Sequence, residues 1–318
     1  MDTGITIGFG GDTMLGRGVN AKISETNYFY PWGDLLDFLK KTDLNILNLE
    51  TTLTESKERV PKVFNFKAEP DKVQTLIAAK IGAVTIANNH ILDFSEKGLL
   101  ETIEVLDKAG IRYVGAGKNK KEATEPLILD VKDLKLGLLG YTDNEPGWIA
   151  SANPGTNYLE VGDTERIKKD ISALRKEVDI LIVSYHWGPN MRVKPTRQFQ
   201  DFAHKIIDFG ADIIHGHSAH IFQGIEIYNK GLIMYDTGDF VDDYVVDPVL
   251  RNDRSFFFII EADRSGLKKL KLIPVRIRNM QVNKARAEDY DWTLKRMQKL
   301  SSELGTEVSG NGIVELNG

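Results

Sequence analysis

Histidine is concentrated in a few short segments of this chain. Three of its six histidines lie within the six residues His215-Gly216-His217-Ser218-Ala219-His220, and His90 and His186 lie in two other polar segments. A neutral imidazole needs a partner for each of its two ring nitrogens, so such a cluster rarely serves packing alone. It indicates a metal site, although the residues themselves leave open which of the three clustered histidines bind.

Carboxylates and amides occur in the same position as these histidines, directly after a predicted strand. The five strand ends are Gly11-Asp12, Asn48-Leu49-Glu50, Asn88-Asn89-His90, Tyr185-His186-Trp187-Gly188 and the 215–220 cluster. In open α/β sheets, ligands bind beyond the carboxyl ends of the strands. Taken singly, each segment is also typical of a turn, a helix cap or a core histidine. Together, carboxylate, amide and imidazole form the ligand set of a divalent ion such as Mn, Fe or Zn.

The strands that would position these segments alternate with helices in the first part of the chain. Up to residue 121, apolar runs predict strands at 5–9, 44–49, 83–87 and 111–114, and helical spacing predicts helices at 35–40, 71–80 and 95–108. Beyond it we predict a hairpin at 126–131 and 135–141, strands at 179–184, 211–214, 221–228, 232–235, 255–261 and 268–277, and helices at 163–176, 196–209 and 289–304. An alternating half followed by a strand-rich half predicts an α/β fold of two mixed sheets packed together, with helices outside.

Composition narrows the chemistry further. The chain has 318 residues, 42% of them hydrophobic, and a formal net charge of -5. Its net charge therefore gives no attraction to nucleic acid, and we expect no nucleic-acid partner. The absence of cysteine excludes disulfides, thiolate zinc sites and a cysteine nucleophile. No apolar run approaches the roughly 18 residues of a transmembrane helix, and the first residues lack the pattern of a signal peptide, so we expect neither in this chain.

Five motifs, in their order along the chain, resemble those of one known family. They are Gly-Asp-Thr-Met-Leu-Gly at 11–16, Asn-Leu-Glu-Thr at 48–51, Ala-Asn-Asn-His at 87–90, His-Trp-Gly at 186–188 and Gly-His-Ser-Ala-His at 216–220. From about residue 3 to residue 282 the chain resembles the CapA-type poly-γ-glutamate capsule biosynthesis family, a branch of the calcineurin-like metallophosphoesterase superfamily. The resemblance implies a four-layer αββα sandwich of two mixed sheets with a dinuclear metal site at the strand ends. It predicts one domain at 1–282, with the helix and tail at 283–318 on the same domain. Independently of the resemblance, the glycine-rich composition of the tail from residue 305 predicts that it is loosely ordered.

The resemblance also implies a role for each polar residue of these motifs. Asp12 would be the carboxylate of the first metal, Glu50 the bridging carboxylate, Asn89 the amide ligand, His186 a ligand of the second metal, and His217 and His220 the closing histidines. His90 would be the general acid, in a catalytic group with Asn89 and Arg17. One or two divalent ions, Mn, Fe or Zn, would bind there, and a pair of ions suits a phosphoryl group.

Two departures from the family pattern concern the metal site. Phosphoesterases of this superfamily typically carry a histidine two residues after the first aspartate, whereas this chain has Met14 there. Because a thioether is a poor ligand for hard divalent ions, we expect the first ion to be weakly held or absent. The closing motif is Gly-His-x-x-His rather than Gly-His-x-His, which leaves the choice among His215, His217 and His220 open.

The resulting hypothesis is a metal-dependent hydrolase of phosphoesterase type, linked to the synthesis of poly-γ-glutamate capsule or another envelope polymer. The capsule link and an association with the cell envelope rest on the resemblance alone. Two alternatives stay open: a non-catalytic assembly or polymer-binding factor that keeps the fold, which Met14 favours, and a metal-dependent hydrolase of the γ-glutamyl amide bond. The expected partners are an anionic polymer or phosphoester substrate and capsule synthase subunits.

Other residues near the motifs have less specific interpretations. Asp239, Asp242 and Asp243 are predicted to form a solvated acidic loop rather than a third metal site. The basic segment 57–67 suits a polyanion but is also typical of a solvated face. Arg17 suits contact with an anionic substrate and, equally, a surface ion pair.

Overall fold

The computed structural model of the protein describes residues 4–316. Within that range the strands are β1 (Ile5–Thr13), β2 (Leu44–Leu49), β3 (Thr52–Leu53), β4 (Lys67–Ala68), β5 (Ile81–Thr85), β6 (Arg112–Val114), β7 (Ala116–Gly117), β8 (Leu127–Val131), β9 (Leu134–Thr142), β10 (Gly155–Thr156), β11 (Ile180–His186), β12 (Ile213–His217), β13 (Ile225–Tyr228), β14 (Gly231–Met234), β15 (Asp239–Val241), β16 (Arg254–Asp263), β17 (Gly266–Arg278), β18 (Gln281–Lys284) and β19 (Ile313–Glu315). The helices are α1 (Arg17–Glu25), α2 (Leu36–Leu39), α3 (Val73–Ala78), α4 (Ser95–Ala109), α5 (Lys120–Thr124), α6 (Thr164–Leu174), α7 (Arg197–Asp208) and α8 (Glu288–Ser302). Short 3-10 helices lie at Tyr30–Leu35, Pro70–Lys72 and Pro146–Trp148.

Most of the strands belong to two large sheets. The first has nine strands in the order β18-β17-β16-β1-β2-β5-β6, with β15 also beside β1 and β19 also beside β17. In it β1, β2, β5, β6 and β15 run parallel, whereas β16 to β18 alternate in direction. The second sheet has six strands in the order β13-β14-β12-β11-β9-β8, with four parallel inner strands and two antiparallel edge strands. Both sheets are therefore mixed, as predicted.

The apolar side chains form three cores, which define four layers. Successive side chains of a strand point to opposite faces of its sheet. In β2, Ile46 lies in the core between the two sheets and Leu47 lies in the core that α1, α3 and α4 cover. In β11, Ile182 faces the same central core and Val183 faces α6 and α7. The helix–sheet–sheet–helix order confirms the predicted αββα sandwich.

Two expectations at the ends of the chain are corrected by the structure. The strand predicted at 5–9 runs on to Thr13, because β2 and β15 both pair with its last residues. The tail is ordered through residue 316: β19 pairs with β17, and Val314 and Leu316 are buried in the central core. The prediction of a loose tail is wrong there, because these apolar side chains complete the core; residues 317–318 lie outside the described residues.

Helix α8 packs on the same central core as the two sheets. Helical spacing predicts that Leu294, Met297, Leu300 and Leu304 share one face of the helix expected at 289–304. The first three are buried in that core, whereas Leu304 lies beyond the end of α8 and packs, partly buried, against the core that α6 and α7 cover. The division of the chain at residue 282 stays a prediction.

Helix length sets a limit on membrane crossing. A spanning helix needs about 20 apolar residues, and α4 and α8 have 15 residues each. Among residues 4–316, no helix is both long enough and apolar enough to cross a bilayer.

Candidate metal centre

The carboxyl ends of strands from both sheets meet at one place. In the first sheet, β1 and β2 run parallel and pair Asp12 with Asn48, just before Glu50. In the second sheet, β11 and β12 run parallel and pair His186 with His217. The sheets face each other, so the strand-end rule brings the carboxylates of one sheet against the imidazoles of the other.

One group of donor atoms joins the two sheets. Asp12, His186 and His217 each offer an atom within 4.8 Å of the others, and all three residues are buried. The Nδ1 atoms of His186 and His217 lie 2.8 Å apart. Asp12 Oδ1 is 4.0 Å from His186 Nδ1 and 3.8 Å from His217 Nδ1. A carboxylate and two imidazoles around one point are a suitable ligand set for Zn, Mn or Fe.

A second donor group shares Asp12 with the first. It consists of Asp12, Glu50 and His220, all buried, again with donor atoms within 4.8 Å of one another. Asp12 Oδ2 lies 3.1 Å from His220 Nδ1. Glu50 Oε1 and His220 Nε2 have no hydrogen-bond partner within the described part of the chain. Buried polar atoms rarely stay unpaired, so these two atoms fit a divalent ion.

The carboxylate common to both groups is Asp12, whereas the resemblance implied that Glu50 bridges the ions. Glu50 Oε1 also lies 3.9 Å from His186 Nε2, so it approaches both groups. The bridging role of Glu50 stays a prediction.

Asn89 and His90 lie at the edge of these groups. Asn89 Oδ1 is 3.0 Å from His186 Nε2, and His90 Nε2 is 3.7 Å from Glu50 Oε1. On its other side, His90 Nδ1 lies 2.6 Å from Asp93 Oδ2. All six predicted metal residues therefore come together with the predicted acid; their individual roles as ligands stay predictions.

Burial determines the protonation of the imidazoles. It lowers the pKa of His186 to about 3 and holds the pKa of His217 well below its usual range. Burial would also lower the pKa of His220, but the carboxylates of Asp239, Glu50 and Asp12 outweigh it and raise this pKa well above its usual value. Burial, reinforced by the charge of Asp12, raises the pKa of Glu50. Two rings are thus neutral, which is the form that binds metal.

The hydrogen bonds of His215 distinguish it from the other two histidines of the cluster. Its Nδ1 lies 3.1 Å from Ser184 Oγ and its Nε2 lies 3.0 Å from the carbonyl oxygen of Gly10. Both ring nitrogens are therefore occupied. Of the three histidines that the spacing left open, the structure places His217 and His220 in the donor groups.

Met14 and Arg17 follow Asp12 along the chain and differ in exposure. Met14 is fully buried, and its backbone N–H donates to the carbonyl oxygen of Val241 at 2.7 Å. Arg17 has 36% of its side chain exposed and forms an ion pair with Asp243 at 3.1 Å. The ion-pair interpretation of Arg17 is thus confirmed, and its contact with a substrate stays a prediction.

The acidic loop predicted at residues 239–243 is largely buried. Asp239 is 0% exposed and Asp242 is 5% exposed, so the solvated-loop prediction is wrong for both. The reason is β15, which pairs with β1 in parallel and sets Asp239 opposite Asp12. Asp239 Oδ1 lies 2.9 Å from His220 Nδ1. The position of Asp239, just after the strand predicted at 232–235, is the sequence feature that could have identified it as a residue of the site.

Two further residues at the site were not predicted. Asn48 Nδ2 donates to Asp12 Oδ1 at 2.7 Å and lies 3.3 Å from both Glu50 Oε2 and His186 Nδ1. Lys62 donates to the backbone oxygen of Asn89. The sequence placed Asn48 in a strand-end motif and Lys62 in a basic segment, but gave neither a role.

The chain matches one family of known proteins over most of its length. The sequence profile of the family described as “Bacterial capsule synthesis protein PGA_cap” matches residues 6–244. The chain belongs to this family. Its relatives include a “Probable polyglutamine synthesis accessory protein” of Mycobacterium tuberculosis, 30% identical over 96% of this chain and 93% of that protein. The capsule biosynthesis protein CapA of Bacillus anthracis is 30% identical over 75% of this chain and 60% of that protein. The family predicted from the five motifs is confirmed.

Solved structures show more distant similarities. A NAD nucleotidase of Haemophilus influenzae aligns with a TM-score of 0.48 at 13% identity, over 95% of this chain and 64% of that chain. A hypothetical protein of Thermus thermophilus aligns with a TM-score of 0.48 at 15% identity, over 81% of this chain and 92% of that chain. Similarities at this level support no conclusion about activity, and the fold of this family member follows from its own two sheets.

Proposed function

We propose that this protein is a divalent-metal-dependent hydrolase of phosphoester bonds that acts in the synthesis of capsule or another envelope polymer. The proposal depends on the two buried donor groups that share Asp12, with Glu50 and His220 in one and His186 and His217 in the other. When bound there, divalent ions supply positive charge that polarises a phosphoryl group and lowers the pKa of water. The capsule context is supported by the family and by the names of its relatives.

His90 is suited to transfer a proton to the leaving group. Because a carboxylate accepts, Nδ1 donates to Asp93 at 2.6 Å, which fixes the ring and leaves Nε2 on the side of Glu50. Phe66 lies edge-on against the ring, and His90 is 5% exposed. With Nδ1–H held by Asp93, the ring donates from Nε2 to the leaving oxygen only when it carries two protons; burial disfavours that form by lowering the pKa of His90, and the hydrogen bond to Asp93 opposes the effect of burial.

Two cations lie on the same side of the site as His90. The guanidinium of Arg17 lies 4.9 Å from the ring centre of Phe66, which itself contacts His90. The ammonium of Lys62 lies 3.1 Å from Asp93 Oδ1. Positive charge beside the donor groups suits an anionic substrate, either a phosphoester or a charged polymer, and Arg17 is the more exposed of the two.

The second candidate is an assembly or polymer-binding factor that keeps the fold without catalysis. Met14 favours it, because a buried thioether stands where the superfamily pattern has an imidazole. The accessory role in the name of the Mycobacterium relative agrees with it. Hydrolysis of the γ-glutamyl amide bond would use the same donor groups. Only an assay that offers both kinds of substrate distinguishes it from phosphoester hydrolysis.

Turnover by metal-loaded protein distinguishes these candidates. An activated phosphodiester, a phosphomonoester and a γ-glutamyl anilide are assayed side by side with Mn²⁺. We expect turnover of a phosphoester, and a loss of about 10²–10⁴-fold in His90→Asn with unchanged metal content. The matched control is His204→Asn, because His204 lies on α7 and contacts Glu226 rather than the donor groups. Turnover of the anilide alone would indicate an amide hydrolase, and background rates on all three substrates would indicate the assembly factor.

A further inference from the structure

The ring of His220 contacts two carboxylates through a single nitrogen. Its Nδ1 lies 2.9 Å from Asp239 Oδ1 and 3.1 Å from Asp12 Oδ2, and all three residues are buried. Its Nε2 is also buried and has no hydrogen-bond partner among residues 4–316. Carboxylates accept hydrogen bonds, so Nδ1 carries a proton, and once the ring gives up its other proton to bind a metal the lone pair is on Nε2.

The backbone fixes Asp239 in this position. β15 runs parallel to β1 and pairs Asp239 with Asp12, while the N–H of Asp12 donates to the carbonyl oxygen of Gly238 at 2.9 Å. This close approach requires a glycine at residue 11, because a Cβ there would lie 1.8 Å from the same oxygen. The pairing of the two strands therefore sets Asp239 beside His220.

The two carboxylates that contact His220 differ in whether they also belong to a donor group. Asp12 belongs to both donor groups, whereas Asp239 belongs to neither. With its oxygens used as ligands, Asp12 is no longer available to accept the proton of His220. Histidine ligands of metal sites usually donate their second ring N–H to a carboxylate, which fixes the ring and its tautomer. Asp239 is placed for that contact.

We propose that Asp239 is a positioning residue of the metal centre, which accepts the Nδ1–H of His220 and thereby directs Nε2 toward the ion. This inference rests on the metal-dependent function proposed above. His220 is the one imidazole in the donor group of Asp12 and Glu50, and Met14 supplies none. The orientation of His220 therefore decides how well this ion is held.

Metal affinity tests the contact. Calorimetric titration of metal-free protein with Zn²⁺ should show the affinity of one step reduced about 10–100-fold in Asp239→Ala, in line with the loss of such partners in other metal sites. Asp239→Asn, which can still accept from Nδ1, should recover part of that loss. The matched control is Asp242→Asn, because Asp242 is buried in the same segment and has no hydrogen bond to His220. Equal affinities in all four proteins, or equal losses in Asp239→Ala and Asp242→Asn, would overturn the proposal.

The tautomer of His220 is a readout that a merely structural role would not change. In protein labelled with ¹⁵N-histidine and loaded with ¹¹³Cd²⁺, with the signal assigned through His220→Gln, we expect cadmium coupling to Nε2 and a proton on Nδ1. Cadmium coupling to Nδ1 would overturn the proposal. In metal-free protein the Nδ1 proton should exchange faster in Asp239→Ala than in the parent, and an equal rate would also contradict it.

The outcomes separate this inference from the proposed function. If Asp239→Ala loses affinity while no substrate is turned over, Asp239 positions His220 in a protein that is not a hydrolase. If the parent turns over a phosphoester and Asp239→Ala binds Zn²⁺ normally, the hydrolase stands and the role of Asp239 fails. If the parent binds no divalent ion, both fail together.

Discussion

The Nδ1 atoms of His186 and His217 lie 2.8 Å apart across two neighbouring strands, and both side chains are 0% exposed. His186 Nε2 donates to Asn89 Oδ1 at 3.0 Å, which leaves the lone pair of the neutral ring on Nδ1. His217 Nε2 is occupied by Ser184 Oγ at 3.1 Å. At 2.8 Å the two nitrogens are within hydrogen-bond distance of each other, and together with Asp12 they form a donor group that could hold an ion.

Replacing single histidines of the 215–220 cluster should separate binding from packing. His217→Ala should lose at least one ion, because its Nδ1 faces the first donor group. His215→Ala should keep its metal and lose stability instead, since its two hydrogen bonds are to Ser184 and Gly10. Elemental analysis together with thermal melting checks both. Loss of metal in His215→Ala with full retention in His217→Ala would reverse the assignment.

Removing the charge of Glu50 should remove metal. Glu50→Gln keeps the size of the side chain but removes the negative charge that Glu50 would offer to a divalent ion in its donor group. The matched control is Glu226→Gln, because Glu226 is buried against Tyr235 and His204 outside the site. We expect metal content to fall in the first variant only. Equal metal content in the two variants would contradict the assignment of Glu50.

Met14 should leave the two ions unequally bound. Calorimetric titration of metal-free protein should show two unequal steps, since the group of Asp12, Glu50 and His220 has a single imidazole. Met14→His should tighten the weaker step, whereas Met14→Leu, the control for packing at this buried position, should not. Two equal, tight steps in the parent protein would refute this prediction.

Chelation should lower stability as well as remove metal. An ion that binds only the folded chain adds about 2.7 kcal/mol to the free energy of unfolding when its free concentration is 100 times Kd. Denaturant unfolding with excess Mn²⁺ and with chelator measures the difference. In Asp12→Asn, which alters the residue common to both donor groups, the difference should largely disappear. A parent protein equally stable in both conditions would count against a metal in this site.

The sequence predicted most of the site because parallel strands impose a simple rule. β1, β2, β11 and β12 were recognisable as apolar runs, and the carboxyl ends of neighbouring parallel strands meet at one edge of their sheet. The rule therefore groups Asp12 with Glu50 in one sheet and His186 with His217 in the other, and the packing of the two sheets brings both pairs together.

The sequence could not show contacts that depend on distant pairing. The segment Gly238-Asp239-Phe240 has the composition of a polar turn, and its burial depends on β1, more than 200 residues earlier in the chain. Lys62 lies in a segment without regular secondary structure, so no periodicity points to its contact with Asn89. The central Asn48 was visible as a residue but not as a partner of Asp12.

Anomalous diffraction from crystals grown with Mn²⁺ tests the central claim most directly. We predict one or two anomalous peaks between the sheets, the first bounded by Asp12, His186 and His217 and the second by Asp12, Glu50 and His220. Crystals of Asp12→Asn, grown in the same way, should show weaker peaks or none. A parent map without a peak at either group, at a Mn²⁺ concentration that fills surface sites, would contradict the metal centre.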